Sequence, residues 1–224
     1  MSSSQKDIIE NARILIVDDQ YTNISLMERI LKAGGYRHIA GITEPRQVID
    51  QFRIFQPDLV VLDLAMPRVD GFGVMAQLRG WIAEDTYLPI LVLTSDVSHS
   101  ARQKALSLGA NDFLTKPVDG TEILLRIYNL LQIQWLYRQT QAQNQRLREQ
   151  VRASQHELQK AKGEIEQLAG AHGIPADLLA ALRAQVMQAV NTIDRLAESA
   201  GRPVTAPSPE LPDAASALPE ECVR

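Results

Sequence analysis

The chain has 224 residues, of which 45% are hydrophobic and 22% charged, and this composition excludes disorder or a coiled coil along its whole length. Its 23 basic and 27 acidic residues give a net charge of -4, so the chain as a whole lacks the basic excess of a nucleic-acid-binding protein. A single cysteine, Cys222, excludes an internal disulfide. The polar start and the lack of any run of 18 apolar residues predict a cytoplasmic protein that is neither exported nor membrane-spanning.

Short apolar runs rich in β-branched residues alternate with amphipathic stretches as far as about Leu131. The predicted strands are Ile14–Val17, His38–Ile42, Leu59–Leu62, Ile90–Leu93 and Asp112–Leu114. Helices are predicted between them at Asn23–Ala33, Phe72–Ile82 and Ser98–Leu108. This order predicts an α/β fold, in which a doubly wound five-stranded parallel sheet carries helices on both faces.

The chain divides near residue 131, because strand signals stop there and a Gln-rich, helix-forming composition follows. Glycine and proline between residues 170 and 175 then interrupt the helical pattern, and prolines accumulate after residue 201. The predicted segments are a flexible N-terminus at 1–11, an α/β domain at 12–131, a helix continuous with the last helix of that domain at 132–169, a short helical segment at 170–200 and a disordered tail at 201–224.

Charged and polar side chains follow four of the predicted strands. Asp18 and Asp19 come directly after the first strand, and Asp63 comes after the third. Because ligands of such sheets bind beyond the carboxyl ends of the strands, we expect these carboxylates to lie together. An all-oxygen site of this kind suits Mg²⁺. Thr94 and Lys116, after the fourth and fifth strands, add a hydroxyl and a cation, which predicts that a phosphoryl group is transferred to Asp63.

Four short motifs occur in order at these strand ends: VDD at 17–19, DLAMPRVDG at 63–71, LTS at 93–95 and FLTKP at 113–117. Together they resemble the receiver domain of two-component response regulators, whose fold is flavodoxin-like. The match covers about residues 12–131. The wider phrases QYTNISLMERIL and GANDFLTKPVDGTEILLRI resemble the receivers that are attached to HD-GYP phosphodiesterase or diguanylate cyclase outputs.

The resemblance implies a role for each acidic residue. Asp63 would be the phosphoacceptor, and Asp19 and Asp63 would be direct Mg²⁺ ligands. Asp18 would act mainly through water, and the backbone carbonyl of Ala65 would complete the protein's share of the coordination. A second aspartate at the position of Ala65 is typical of haloacid dehalogenase phosphatases, which also use an aspartyl nucleophile, so Ala65 counts against that family.

The resemblance also implies a set of residues that respond to phosphorylation. Lys116 would contact the phosphoryl oxygen and would be joined to Pro117 by a cis peptide bond. Thr94 would move towards the phosphoryl group and vacate space into which Phe113 turns. Ser95 is the small residue that usually follows the threonine in this family.

A heptad pattern runs through the extension from Leu130 to Leu168 without a break in register. It predicts a coiled coil that continues from the last receiver helix and forms a homodimer through residues 130–168. Asn144 falls at an a position, where a buried asparagine specifies register and a two-stranded state. A single solvated helix, or a helix packed on its own receiver, remains an alternative.

Apolar residues also recur at helical spacing after the break at residues 170–175. This face needs a partner, and it would fold back on the preceding helix, complete a four-helix bundle across a dimer, or bind another protein. The residues of this face are Leu178, Leu179, Leu182, Val186, Ala189, Val190, Ile193 and Leu196.

The first functional hypothesis is a signalling switch without a separate catalytic domain. A sensor histidine kinase would supply the phosphoryl group, and the helical extension would engage a downstream protein partner but neither nucleic acid nor a membrane. The alternative is the regulatory portion of a cyclic-di-GMP-related enzyme whose catalytic domain is absent or degenerate. Residues after Leu168 contain no HD pair, GYP or GGDEF-like segment, which counts against this alternative.

Overall fold

Strands and helices alternate in the computed structural model, which describes residues 3–66, 71–83, 85–95, 98–171 and 175–200. The strands are β1 Arg13–Val17, β2 His38–Ile42, β3 Leu59–Asp63, β4 Ile90–Thr94 and β5 Asp112–Thr115. The helices are α1 Ser3–Asn11, α2 Tyr21–Ala33, α3 Val48–Phe55, α4 Gly71–Trp81, α5 His99–Ser107, α6 Gly120–Ala171 and α7 Ala176–Ala200. A short 3-10 turn, Pro45–Gln47, precedes α3.

The strands form one parallel sheet in the order β2-β1-β3-β4-β5. Successive residues of β1 point to opposite faces: Ile14 and Ile16 lie in one core cluster, and Leu15 and Val17 lie in the other. Helices cover both faces, so strands β3 and β4 are buried along their whole length. The predicted α/β fold with a doubly wound five-stranded sheet is confirmed.

The helices bury the face that their apolar spacing predicts. In α2 the buried residues are Ile24, Met27 and Leu31, three and four positions apart. The helix ends at Gly34, whose N–H donates to the carbonyl of Ile30 at 3.0 Å, and Gly35 follows with a φ of 94°. The bounds of α2, α4 and α5 lie within two residues of the predicted ones.

Residues 1–11 were expected to be flexible, but Ser3–Asn11 form the helix α1. This otherwise polar segment contains two adjacent apolar residues, Ile8 and Ile9. Ile8 is buried in the core cluster that also contains Leu130 and Leu131, and Ile9 packs against the same cluster. An ion pair between Glu10 and Arg37 also joins α1 to the segment directly before β2, with 3.0 Å between Oε1 and Nη2.

The chain divides into two compact units inside α6, between Leu136 and Tyr137. In the second unit α7 folds back along α6, and Gln155 Nε2 donates to Asp194 Oδ1 at 2.8 Å. A cavity of about 400 Å³ lies between the two helices and is lined in part by Ile165, Val186 and Met187. The second half of α6 thus covers part of the apolar face of α7 near Val186, whereas Leu178 and Leu182 of that face are exposed.

Two of the sequence predictions fall outside the described residues. The tail at 201–224, predicted to be disordered, is one of them, and residues 67–70 of the DLAMPRVDG motif are the other. Within the described part of the chain, no helix combines the length and hydrophobicity needed to cross a lipid bilayer.

Candidate functional site

Three aspartates meet at the carboxyl ends of β1 and β3. Asp18 and Asp19 directly follow β1, and Asp63 is the last residue of β3. Because these strands are parallel neighbours, their ends lie side by side, and the ligand oxygens of the three carboxylates all lie within 4.8 Å of one another. Asp18 and Asp63 are each only 2% exposed. Carboxylates this close and this buried require a positive charge nearby.

Lys116 supplies one positive charge to this cluster. Its Nζ lies 2.8 Å from Asp63 Oδ2 and 3.0 Å from Asp18 Oδ2, and its side chain is 22% exposed. The loop after β5 brings it here, and the Lys116 N–H donates to the carbonyl of Thr94 at 2.9 Å. Burial by itself lowers the pKa of Lys116, but the hydrogen bonds to Asp63 and Asp18 and the negative charges of these carboxylates together outweigh that effect, so the net pKa is raised.

The remaining contacts of the aspartates differ from one another. Asp63 Oδ1 accepts a hydrogen bond from the Ala65 N–H at 3.1 Å. Asp19 Oδ1 is buried and has no hydrogen-bond partner among the described residues. A buried carboxylate oxygen without a donor is costly unless a cation binds it, and an all-oxygen donor set suits Mg²⁺. The residues present therefore fit a divalent cation of that kind.

Thr94 and Phe113 lie beside the aspartates on β4 and β5. Thr94, at the end of β4, is 6% exposed, and Phe113 is half-buried on β5. A cavity of about 110 Å³ separates these strands from α5, and both residues line it. Ser95, directly after β4, is exposed. The structure thus contains space next to Thr94 and Phe113, and the movement of the two side chains stays a prediction.

Two residues in contact with this site were not singled out from the sequence. Asn23 Nδ2 lies 2.9 Å from Asp18 Oδ1 and 3.0 Å from Oδ2. The Arg102 guanidinium lies 3.7 Å from the centre of the Phe113 ring. Neither residue belongs to the four strand-end motifs, because each reaches the site from a helix.

Two other sequence predictions concern a peptide bond next to the site and a residue of the extension. The Lys116–Pro117 peptide bond is cis, as predicted. Asn144 lies in the second compact unit and is half-buried on α6. Its role in setting the register of a dimer stays a prediction.

Comparison with known proteins gives the same assignment for the first unit. The family model of the response regulator receiver domain matches residues 14–128. The chain is 42% identical over 119 residues to the response regulator MprA of Mycolicibacterium vanbaalenii, covering 53% of this chain and 50% of that protein. It is 33% identical over 121 residues to the alkaline phosphatase synthesis transcriptional regulatory protein PhoP of Bacillus subtilis, covering 54% and 49%. The chain spans about half the length of these curated relatives.

Solved structures show the same fold. A CheY-like receiver domain protein from Methanospirillum hungatei matches with a TM-score of 0.50 and 22% identity, over 55% of this chain and 95% of that one. The chemotaxis protein CheY4 of Vibrio cholerae matches with a TM-score of 0.50 and 24% identity, over 53% and 98%. These likenesses concern the fold, and the family match over residues 14–128, about half of the chain, shows that the chain belongs to the response regulator receiver family of two-component systems.

Proposed function

We propose that the chain is a response regulator that accepts a phosphoryl group on Asp63 from a sensor histidine kinase, in the presence of Mg²⁺. The observation that carries this proposal is the position of Asp63. It is a buried carboxylate at a strand end, with the Lys116 ammonium at 2.8 Å and the orphaned oxygen of Asp19 in the same cluster. A carboxylate in such a place is a nucleophile beside groups that accept negative charge.

The chemistry uses few groups of the chain. One carboxylate oxygen of Asp63 attacks the phosphorus of a phosphohistidine, and the phosphorus–nitrogen bond breaks with its electron pair returning to the imidazole. The product is an acyl phosphate on Asp63. Lys116 stays protonated at neutral pH, because its pKa is raised, and its ammonium offsets the charge on the phosphoryl oxygens.

Asp19, Asp63 and the backbone carbonyl of Ala65 would hold Mg²⁺, with Asp18 acting mainly through water. When bound, Mg²⁺ supplies positive charge that reduces the repulsion between the carboxylates and the incoming phosphoryl group. The chain's own contribution is to keep Asp63 and Asp18 buried at 2% exposure each, so that little water screens these charges.

Phosphorylation would be sensed at Thr94, Ser95 and Phe113. The Thr94 hydroxyl would turn towards the phosphoryl oxygens, and the Phe113 ring would enter the space next to it. The cavity of about 110 Å³ that both side chains line supports this proposal. The change would then reach α6, which begins at Gly120, only a few residues after β5.

The output would pass through a homodimer formed by residues 130–168, with Asn144 setting its register, to a downstream protein partner. Continuity supports a direct route, because α6 runs unbroken from Gly120 to Ala171. Curated relatives include transcriptional regulators, but their similarity to this chain covers about half of their length. Residues 137–200 hold eight basic and seven acidic residues, a near-neutral balance that favours a protein partner over nucleic acid.

Relatives of this chain give no support to the alternative hypothesis, the regulatory portion of a cyclic-di-GMP-related enzyme. Their names describe response regulators and transcriptional regulators. The two hypotheses differ in what the purified chain does with cyclic-di-GMP. We expect neither binding nor turnover of this nucleotide in a calorimetric titration.

Incubation of the full chain with acetyl phosphate and Mg²⁺ tests the proposal. We expect intact-mass spectrometry to show the addition of one phosphoryl group, and we expect Asp63→Asn to show none. Asp50→Asn, which changes an exposed aspartate on α3, serves as the matched control and should react like the wild type. Asp19→Ala should lose Mg²⁺ dependence and activity together. Full activity in EDTA, or labelling of Asp63→Asn, would contradict the proposal.

A further inference from the structure

Asn23, in the first turn of α2, contacts the acidic cluster through Asp18. Its Nδ2 lies 2.9 Å from Asp18 Oδ1 and 3.0 Å from Oδ2. Because an ionised carboxylate only accepts hydrogen bonds, the NH₂ group of the Asn23 amide must face Asp18. A single side chain thus serves both oxygens of this aspartate.

Two further donors complete the environment of Asp18. The Gln20 N–H donates to Oδ1 at 2.9 Å, and Lys116 Nζ donates to Oδ2 at 3.0 Å. Each oxygen of Asp18 therefore has two donors from the chain. A carboxylate offers about four acceptor positions, so these three donor groups leave Asp18 little capacity for direct contact with a cation.

Asp19 differs from Asp18 in its hydrogen bonding. Its Oδ1 is buried and has no hydrogen-bond partner in the described part of the chain, although it belongs to the same cluster. The cost of such an oxygen disappears when a cation binds it. The three aspartates thus differ in availability, and Asn23 contributes to the difference between Asp18 and Asp19, together with Gln20 and Lys116.

We propose that Asn23 is a positioning residue for the phosphorylation of Asp63. It reserves Asp18 as an acceptor for Lys116, and it leaves Asp19 and Asp63 as the carboxylates available for direct contact with Mg²⁺. Lys116 is then held by two fixed carboxylates, at 3.0 Å from Asp18 and 2.8 Å from Asp63, and its ammonium stays where the phosphoryl oxygens arrive. This inference rests on the proposed function of Asp63.

Two variants of the full chain test this role. Asn23→Ala removes the amide. Asn23→Asp replaces it with a carboxylate, which has the same shape but carries a negative charge and no hydrogen-bond donor. Asn11→Ala is the matched control, since it removes an amide whose Nδ2 donates to the Asp7 carbonyl at 3.0 Å at an exposed position of α1. Two quantities are measured for each protein: the Mg²⁺ affinity of the unphosphorylated chain by calorimetric titration with MgCl₂, and the rate of labelling by acetyl phosphate at saturating Mg²⁺.

The expected result is a split between the two quantities. Asn23→Ala should lower the labelling rate about tenfold, as is usual when a residue that orients the ligands of a metal site is removed. Its Mg²⁺ affinity should be equal to that of the wild type or higher, because Asp18 is free to turn towards the cation. Asn23→Asp should raise the Mg²⁺ affinity about tenfold through the added charge and should also slow labelling. Asn11→Ala should match the wild type in both quantities.

A purely structural role for Asn23 predicts that rate and Mg²⁺ affinity fall together in Asn23→Ala, and this result would overturn the inference. An unchanged labelling rate in that variant would overturn it as well. A wild-type chain that takes no phosphoryl group contradicts the proposed function instead. In that case the titration alone decides on Asn23, and a weaker Mg²⁺ affinity of Asn23→Ala rejects its proposed role.

Discussion

Lys116 contributes to stability as well as to the proposed chemistry, because it is the cation hydrogen-bonded to two buried carboxylates. Removal of one partner from a buried ion pair leaves the other charge uncompensated and is costly. We expect Lys116→Gln to lower the free energy of unfolding at pH 7, without Mg²⁺, by about 3 kcal/mol. Denaturant unfolding measures this change.

The same substitution has a predicted pH dependence. The pKa of Lys116 in the folded chain is raised above its ordinary value of 10.5, so its contribution to stability is complete below that pH. The contribution is lost as the pH rises through the folded pKa. The difference in unfolding free energy between wild type and Lys116→Gln should therefore be constant up to about pH 10 and should shrink at higher pH. A difference that grows above that pH would contradict the contacts of Lys116.

Gly109 is a second residue whose substitution should lower the stability of the fold. Its φ is 93°, and a Cβ added there would meet the guanidinium of Arg79, which also donates to the Gly109 carbonyl. We expect Gly109→Ala to lower the free energy of unfolding by about 2 kcal/mol, because both strain and the displaced Arg79 contribute. Gly80→Ala, in helix α4 with nothing within 4 Å of the added Cβ, is the control. It should be neutral or slightly stabilising.

Helix α5 buries little of its surface in the receiver core. Ala105 is its buried residue, and two cations of the helix lie over aromatic rings of its neighbours. Arg102 lies over Phe113 at 3.7 Å, and Lys104 lies over Phe72 at 4.0 Å. A contact of this kind is worth about 1 kcal/mol, which is enough to shift the orientation of a ring about fivefold.

We therefore expect Arg102→Ala to increase the share of Phe113 rings turned inward before any phosphorylation, because the guanidinium no longer covers the ring. Fluorine NMR of fluorophenylalanine-labelled protein measures this share, with Phe113→Leu identifying the signal among the four phenylalanines. Lys104→Ala removes the other cation of α5 and should leave the Phe113 signal unchanged. Equal effects of the two variants would show that α5 is merely loosened.

At the level of elements, the sequence predicts the structure wherever a general rule relates a pattern of residues to a position in the fold. Continuous apolar runs such as Leu59–Leu62 predict buried parallel strands, and the carboxyl ends of such strands converge, which brings Asp18, Asp19 and Asp63 together. Asn23 and Arg102 could not be predicted in this way. Their contacts depend on how α2 and α5 are placed on the sheet, and no spacing in the sequence encodes that placement. Helix α1 was missed because its apolar face contains few residues and gains its stability from the core it covers.

At the scale of the whole molecule, the hairpin of α6 and α7 limits which side chains of α6 are available to a dimer interface. Val151, Leu158 and Ile165 of the predicted seam are half-buried, while Leu147 of the same seam is 51% exposed. The heptad pattern correctly predicted a long helix, but it could not distinguish a partner helix of the same chain from one of a second chain. Both bury an apolar stripe of similar spacing.

A substitution of Leu147 therefore distinguishes a single-chain hairpin from the proposed dimer. Leu147→Asp costs little in a single chain, because the side chain is exposed there, but it would bury a charge in a dimer seam. We expect light scattering to show that the wild type is dimeric and that Leu147→Asp is monomeric, with unchanged helix content by circular dichroism. Gln145→Asp, at an outward-facing position, should remain dimeric.

Asn144 tests the register of the same seam. A buried polar residue at an a position selects one register and oligomeric state at some cost in stability. We expect Asn144→Leu to stabilise the assembly and to populate further oligomeric states in light scattering. A wild-type chain that is monomeric with and without phosphorylation would contradict the dimer and leave the hairpin as a surface for a different protein.

Asp63 is the proposed carrier of the phosphoryl group, and borohydride reduction locates that group chemically. Borohydride reduces an acyl phosphate to a primary alcohol and leaves free carboxylates unchanged, so reduction after treatment with acetyl phosphate and Mg²⁺ marks the acceptor. Peptide mass spectrometry then identifies the converted residue. We expect conversion at Asp63 alone, with none in EDTA. Conversion at Asp18, at Asp19 or at any aspartate outside the cluster would contradict it.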